Sequence, residues 1–286
     1  CDERGIGHSG IPHECYSPVR IHGAMDARRI KALSEYGEKA VQDRLTVPEI
    51  LYEDNHLLVV IKPAGVLSQA DVTGDPDILS MLKADIKERY SKPGNVYLGL
   101  LHRLDRPVRG VMIFAKTGKS ASRISAQIRE RCVEKKYRAV VCGTVLPVEG
   151  ELCSAMVKDR ERNRSDVYSL ESAPETSKEA ILRYETLGNC FYTNGSGERI
   201  EVSLLSIDLI TGRSHQIRAQ LSDFGHPILG DRKYHDSSGF RGDICLESYS
   251  IRLRHPITNE TMEFNIPMPN GTPWSLFKKG SINGRE

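Results

Sequence analysis

The chain has 286 residues, 39% hydrophobic and 27% charged, the balance of a globular protein long enough to bury a sizeable core. Forty basic against 38 acidic side chains leave a net charge of only +2, so nucleic-acid binding would have to rest on a local concentration of cations. The longest apolar run, Leu57 to Ile61, is far too short for a membrane helix, and seven scattered cysteines with no Cys-x-x-Cys pair point to free thiols rather than a zinc cage or redox motif. Residues 1–46 carry mixed charge and no long apolar period, and they read as an N-terminal arm with a helix expected over Met25–Val41. Cys1-Asp2-Glu3-Arg4 has no apolar stretch behind it of the kind a secretory signal has, so a reducing intracellular compartment, cytoplasmic or organellar, is expected. From residue 47 to 286 the texture is that of one folded domain. Ile50-Leu51-Tyr52 and Leu57–Ile61 read as short strands joined by a turn at Glu53-Asp54-Asn55. Asp75-Pro76 reads as an N-cap and first helical residue, with Ile78, Leu82 and Ile86 at helical spacing behind it, which predicts a helix over Pro76–Tyr90. Val111–Ala115 and Tyr137–Cys142 read as buried strands, with a helix over Ser120–Arg131 between them. Lys158–Glu179 is polar and charged and reads as a long loop. Val202–Ile210 reads as a strand ended by Thr211-Gly212. Ile217, Leu221 and Phe224 mark a short helix stopped by Gly225 and Pro227. Ser250–Leu253 and Thr261–Ile266 complete the sheet. Strands and helices do not alternate regularly, which predicts an α+β fold rather than a doubly wound one.

Three segments concentrate charge beside apolar strands: Leu101-His102-Arg103-Leu104-Asp105-Arg106, Lys136-Tyr137-Arg138-Ala139, and Gly212-Arg213-Ser214-His215-Gln216-Ile217-Arg218. Charge in such places is costly unless paired, so clusters there often mark sites. Cations beside a carboxylate favour its ionised, nucleophilic form, and Asp105 has Arg103, Arg106 and Arg109 as sequence neighbours. A structural salt bridge in a loop explains the same residues equally well. Between His102 and Arg138 basic residues far outnumber Asp105, Glu130 and Glu134, a local excess suited to phosphate or to a plain solvated helix face.

His102-Arg103-Leu104-Asp105, with Gly110 and Phe114-Ala115-Lys116, resembles the aspartate signature of the RluA-type pseudouridine synthases. Tyr52-Glu53-Asp54-Asn55, Lys62-Pro63-Ala64-Gly65, Lys136-Tyr137-Arg138-Ala139, Thr211 through Arg218, Gly225 through Asp231, and His255-Pro256 resemble further segments of that family, in its order, over roughly residues 47–268. Several matches in sequence are far more specific than one short pattern. The resemblance implies an α+β pseudouridine synthase catalytic fold: a mixed, mostly antiparallel sheet with flanking helices and a central basic cleft. It implies an enzyme that isomerises uridine to pseudouridine in structured RNA, rRNA or tRNA, as a monomer, with no cofactor or metal and no membrane. Asp105 would be the catalytic carboxylate and Tyr137 the ring that stacks on uracil, with a share in removing the C5 proton. Arg218 would pair with Asp105, ahead of Arg213. Arg103, Arg106, Arg213 and His215 would meet RNA, His215 chiefly as a structural hydrogen-bonding group. The family has Ser where Arg109 stands, which predicts that Arg109 reaches phosphate or crowds the cleft.

The isomerisation breaks C1′–N1 and joins C5 to C1′, so it needs a carboxylate for the sugar fragment and a means of extruding the base. Two other readings carry different expectations. Val59-Val60-Ile61-Lys62, Asp223-Phe224-Gly225 and Ala173-Pro174-Glu175 imitate a protein kinase, but in the wrong order. A non-catalytic RNA-binding relative or RNA chaperone needs cations, but has no use for Asp105, Tyr137 and Arg218 together.

Overall fold

Alternation at a period of two explains the middle of the sheet. In the computed structural model, which describes residues 48–234 and 238–278, Leu58, Val60, Met112 and Phe114 pack into one core while Leu57, Val59, Ile61, Val111 and Ile113 pack into another on the opposite face. A strand buried on both sides reads as an unbroken apolar run, as these two do. The helix Ile78–Arg89 (α1) covers the first face through Ile78, Leu82 and Ile86, and Gly118–Arg129 (α2) covers the second through Ile124 and Ile128.

The strands are β1 (Ile50–Glu53), β2 (Leu57–Lys62), β3 (Gly99–Leu100), β4 (Arg109–Ala115), β5 (Glu134–Cys142), β6 (Glu149–Asp159), β7 (Arg164–Tyr168), β8 (Lys178–Thr193), β9 (Arg199–Leu209), β10 (Leu246–Arg254) and β11 (Thr261–Asn265). A third helix, α3 (Gln216–Asp223), follows β9, and a 3-10 turn spans Trp274–Phe277. The strands form one sheet in the order β1-β2-β4-β10-β5-β9-β8-β6-β7, with β11 on β10 and β3 on β4. Every pairing among these strands is antiparallel except β4 with β10, so the expected mixed, mostly antiparallel α+β sheet is what forms. At that parallel contact Gly110 has φ 152, and a Cβ there would lie 2.4 Å from the Ser248 carbonyl oxygen. Only glycine permits this approach, and it anchors the strand that leaves the Asp105 loop.

Three expectations need correction. The cap of α1 is Asp77, which accepts from the Ser80 amide at 3.0 Å, while Asp75 instead pairs with Arg106 at 2.6 Å. Helix α2 starts at Gly118 because Thr117 caps it, accepting from the Ser120 amide at 3.1 Å, and Arg131 leaves the helical region at φ 58. Lys158–Glu179 is no long loop: Lys158 and Asp159 end β6, Arg164–Tyr168 is β7, and β8 begins at Lys178. Its polarity belongs to strands with open faces, not to missing structure. The arm at residues 1–46, with the helix expected over Met25–Val41, lies outside the described residues.

Candidate active site

The loop that carries Asp105 is fastened on both sides. His102 Nε2 accepts from the Ile113 amide at 3.1 Å, taking the ladder position beyond the end of β3. Burial pushes this imidazole down to about 3, so it stays the neutral acceptor that the bond requires. The Ser68 hydroxyl donates to Leu104 O at 2.7 Å and accepts from Leu104 N at 3.1 Å. On the other side Arg106 O accepts from Gly65 N at 2.8 Å and from Lys62 Nζ at 3.1 Å. Lys62 is fully buried and donates also to Pro63 O and Val66 O, at 2.9 and 2.8 Å. Burial lowers its amine to about 7, with the Asp105 charge opposing that shift. The residues before and after Asp105 are thus pinned, and the carboxylate is left to project.

It projects onto α3. Arg218 Nη1 donates to Asp105 Oδ2 at 3.1 Å. The same guanidinium grips Asp231 through Nε and Nη2, both at 2.7 Å. Burial works against the charge on Arg218, but Asp231 and then Asp105 more than offset it and hold the guanidinium above its ordinary value. The Asp231 side chain is fully buried, that of Arg218 is 7% exposed and that of Asp105 is 25% exposed. Charge therefore runs from a sealed carboxylate through a fixed cation to an open one. Helix α3 tolerates this because its buried polar groups are satisfied. Gln216 Oε1 accepts from Thr211 Oγ1 and Arg213 N, and Gln220 Nε2 donates to Ser154 Oγ, Leu152 O and Ala180 O.

His215 precedes α3 with φ 54 and caps it with no side-chain bond. Its Nδ1 lies 3.1 Å from the Tyr234 hydroxyl, and its Nε2 lies 3.7 Å from Asp105 Oδ2. Tyr234 Oη already accepts from Ser165 N at 2.7 Å, so its own proton is available to Nδ1. That leaves the Nε2 proton facing Asp105. Burial pushes His215 down to about 4, Asp105 opposes, and Arg218, Lys158 and Lys233 add to the depression. His215 is thus a neutral imidazole beside the carboxylate.

Tyr137, on β5, lines the same cleft, whose volume is about 980 Å³. Burial, with a smaller push from Asp105, raises its phenol to about 12, so the ring is un-ionised at neutral pH. Asp105, Tyr137, Arg218, Arg103, Arg106, Arg213 and His215 all line this one cleft. Their roles differ. Arg103 makes no ion pair or hydrogen bond among the described residues. Arg106 donates to Gly65 O at 3.0 Å, and Arg213 donates to Glu179 O at 2.8 Å rather than reaching Asp105.

The basic run from Arg103 to Arg138 divides. Arg103, Arg106, Arg129, Arg131 and Lys135 line the cleft. Lys116 pairs with Glu53 at 2.7 Å, and Arg123 donates to Pro256 O at 2.5 Å. Arg109 neither reaches the cleft nor crowds it: it pairs with Glu247 of β10, which also takes Arg138 at 2.8 Å. The parallel contact between β4 and β10 sets Arg109 against Glu247, which the sequence alone does not announce. Asp231, Tyr234 and Lys62 complete the surroundings of Asp105 and carried no role in the sequence reading. An acid in the apolar context of Ile228-Leu229-Gly230-Asp231 was the available signal for the first of them. Among the described residues no group of three or more His, Cys, Asp or Glu side chains could hold a metal ion.

The family model for RNA pseudouridylate synthase matches residues 56–223. The chain is 34% identical to the dual-specificity RNA pseudouridine synthase RluA of Haemophilus influenzae, over 76% of this chain and 91% of that protein. It is 30% identical to tRNA pseudouridine synthase C of Yersinia pestis, over 75% of this chain and 84% of that one. Among solved structures, human RNA pseudouridylate synthase domain containing 1 has the same fold, with a TM-score of 0.63, 22% identity, and coverage of 82% of this chain and 88% of that one.

Proposed function

The chain belongs to the RNA pseudouridylate synthase family, which makes it an isomerase of uridine in RNA, and from that premise we propose how its cleft performs the reaction. Asp105 is the catalytic carboxylate, Arg218 the cation that orients it, and Tyr137 the platform on which the extruded uracil stacks. The observation that carries this assignment is the 3.1 Å contact between Arg218 Nη1 and an Asp105 carboxylate that is still open to the cleft. Residues 105, 137 and 218 are remote in sequence, and a nucleophile, a stacking ring and a charge partner must surround one base.

The steps follow from that arrangement. The target nucleotide leaves its stack at a cost of a few kcal/mol, offset by phosphate contacts at the basic rim and by stacking on Tyr137. The pinned loop presents the Asp105 carboxylate to the nucleotide as the C1′–N1 bond breaks. The freed uracil turns, C5 joins C1′, a proton leaves C5 and one is gained at N1. No electron or external group enters the balance, so the reaction calls for no cofactor. An un-ionised phenol is a poor acceptor for the C5 proton, which favours stacking over base catalysis for Tyr137.

The RNA is rRNA or tRNA. tRNA is named in the Yersinia pestis relative, and Arg103, Arg106 and Arg213 at the rim suit a folded polyanion. No helix among the described residues is long and apolar enough to cross a membrane.

The test is pseudouridine formation by wild type and Asp105→Asn on rRNA and tRNA from cells lacking the enzyme. Loss of product with retained RNA binding is expected, because phosphate contacts supply most of the affinity. Near wild-type turnover by the variant would overturn the assignment, and it would also leave a binding-only relative as the better reading of the cleft.

A further inference from the structure

Among the described residues Lys62 is buried and Lys135 half-buried near the cleft, and their ammonium groups are treated differently. Lys62 spends its three ammonium protons on Pro63 O, Val66 O and Arg106 O. Lys135 is half-buried, and its ammonium makes no hydrogen bond or ion pair among the described residues. It stands on β5 two residues before Tyr137, so both side chains leave the same face of the strand, about 7 Å apart. Both line the cleft. Gly212 lies beside the ammonium: a Cβ built there would sit 3.8 Å from Lys135 Nζ. The imidazole of His102, close enough for the two to affect one another, offers no counter-charge, and its Nε2 already accepts from the Ile113 amide. Burial lowers the Lys135 amine, the direction expected of a cation with no partner.

An ammonium kept partly out of water without an acceptor costs stability. Its place explains what it waits for. A base stacked on Tyr137 carries its sugar and phosphates with it, and a point about 7 Å along the same strand face lies within the reach of one nucleotide. The only anion in the proposed reaction mixture that arrives at that point is the RNA backbone. We propose that Lys135 is a phosphate seat: it takes a phosphodiester of the extruded uridine or of the nucleotide next to it, and so fixes the sugar relative to Asp105. This rests on the reading of the cleft as a uridine-isomerising site and adds to it the group that holds the target strand.

Removing the charge should have two effects of opposite sign. Lys135→Met keeps the length of the side chain, so thermal unfolding should occur at the same temperature or higher, because an unsatisfied charge is lost. Binding of a uridine-containing RNA stem-loop should weaken roughly tenfold at low salt, and the slope of log affinity against log salt should fall by about 0.7–1 for one phosphate contact. KM for RNA should rise more than kcat falls. Lys135→Arg should recover most of the affinity and the slope. Lys87→Ala, on the exposed side of α1, should change neither. Unchanged affinity and slope in Lys135→Met would overturn the proposal, and so would weaker binding accompanied by lower stability, the mark of a packing role. The binding measurement stands without turnover: a wild type that binds RNA but makes no pseudouridine contradicts the functional reading, whereas a Lys135→Met protein that binds like wild type contradicts only the phosphate seat.

Discussion

Asp105 and Arg109 are four residues apart, yet they end in charge clusters of opposite design. Asp105–Arg218–Asp231 is a guanidinium between two carboxylates, the inner one fully buried and the outer one 25% exposed. Arg109–Glu247–Arg138 is a carboxylate between two guanidiniums, with Glu247 1% exposed and the outer Arg109 34% exposed. In the first cluster the open end is an anion facing a cleft. In the second the anion is sealed among β4, β5 and β10, and it holds strands together. Both are buried ion-pair networks, so burial and pairing alone do not mark a site. What separates them is which member of the chain of charges remains open.

Substitutions that open or empty each cluster test this difference. Asp105→Asn should have the largest effect on chemistry. Turnover should fall by about a thousandfold or more, equivalent to about 4 kcal/mol of transition-state stabilisation, with the unfolding curve unchanged. Single-turnover assays and denaturant titration on the same preparation read both quantities. Arg218→Met should lower turnover as well, but it should not leave the fold untouched. A solvated position would tolerate the loss, whereas this guanidinium is the ion-pair partner of the buried Asp231, and breaking such a pair costs about 3–5 kcal/mol. A stability equal to wild type would mean that Asp231 finds another partner.

Glu247→Gln empties the middle of the other cluster. Stability should drop by a similar order, about 3 kcal/mol, since Arg109 and Arg138 are left facing each other without their anion. Turnover per folded molecule should stay within about twofold of wild type, a ratio worth under 1 kcal/mol. A Glu247→Gln protein that folds normally but is inactive would erase the distinction between the clusters. Arg109→Ser restores the residue common in the family and should matter least of the four. Arg109 is one-third exposed and Glu247 keeps Arg138, so about 1 kcal/mol or less is expected, with turnover intact.

The clusters also explain what the sequence disclosed. Leu57–Ile61 and Val111–Ala115 announce buried strands because each face has its own core. Asp105, Tyr137 and Arg218 stand out because their charges and ring interrupt such segments. The polar strands gave no such signal. Lys158–Glu179 looks like a loop because β6 and β7 expose much of their length, and open strand faces carry the same residues as loops. Arg109 was misplaced for a related reason: its partner lies on β10, 138 residues away, and local sequence does not encode that register. Asp231 and Tyr234 acquire their meaning only when the segment after α3 returns beneath Arg218 and His215.

Acid should distinguish the two clusters in the gentlest way. The open carboxylate has His215 beside it, whereas Glu247 is held by two arginines that remain charged throughout the acid range. In the unfolded chain an imidazole takes its proton near pH 6.5. Folded, His215 does so only near 4, because burial disfavours its charge. Below 6.5 the unfolded state therefore binds more protons than the folded one, and stability declines as pH falls, with the His215 share fully lost by about pH 4. His102 adds a second share that continues to about pH 3. Above pH 6.5 neither contributes a slope. Asn is the informative replacement for His215, since it tolerates the φ of 54 at that position and does not titrate. Urea midpoints measured from pH 7.5 to 4 should fall less steeply in His215→Asn than in wild type, while Glu247→Gln should retain the wild-type slope on a lower curve. A wild-type slope no steeper than that of His215→Asn between pH 6.5 and 4 would mean that His215 is already protonated in the folded protein, and that Asp105 faces a charged imidazolium rather than a neutral ring.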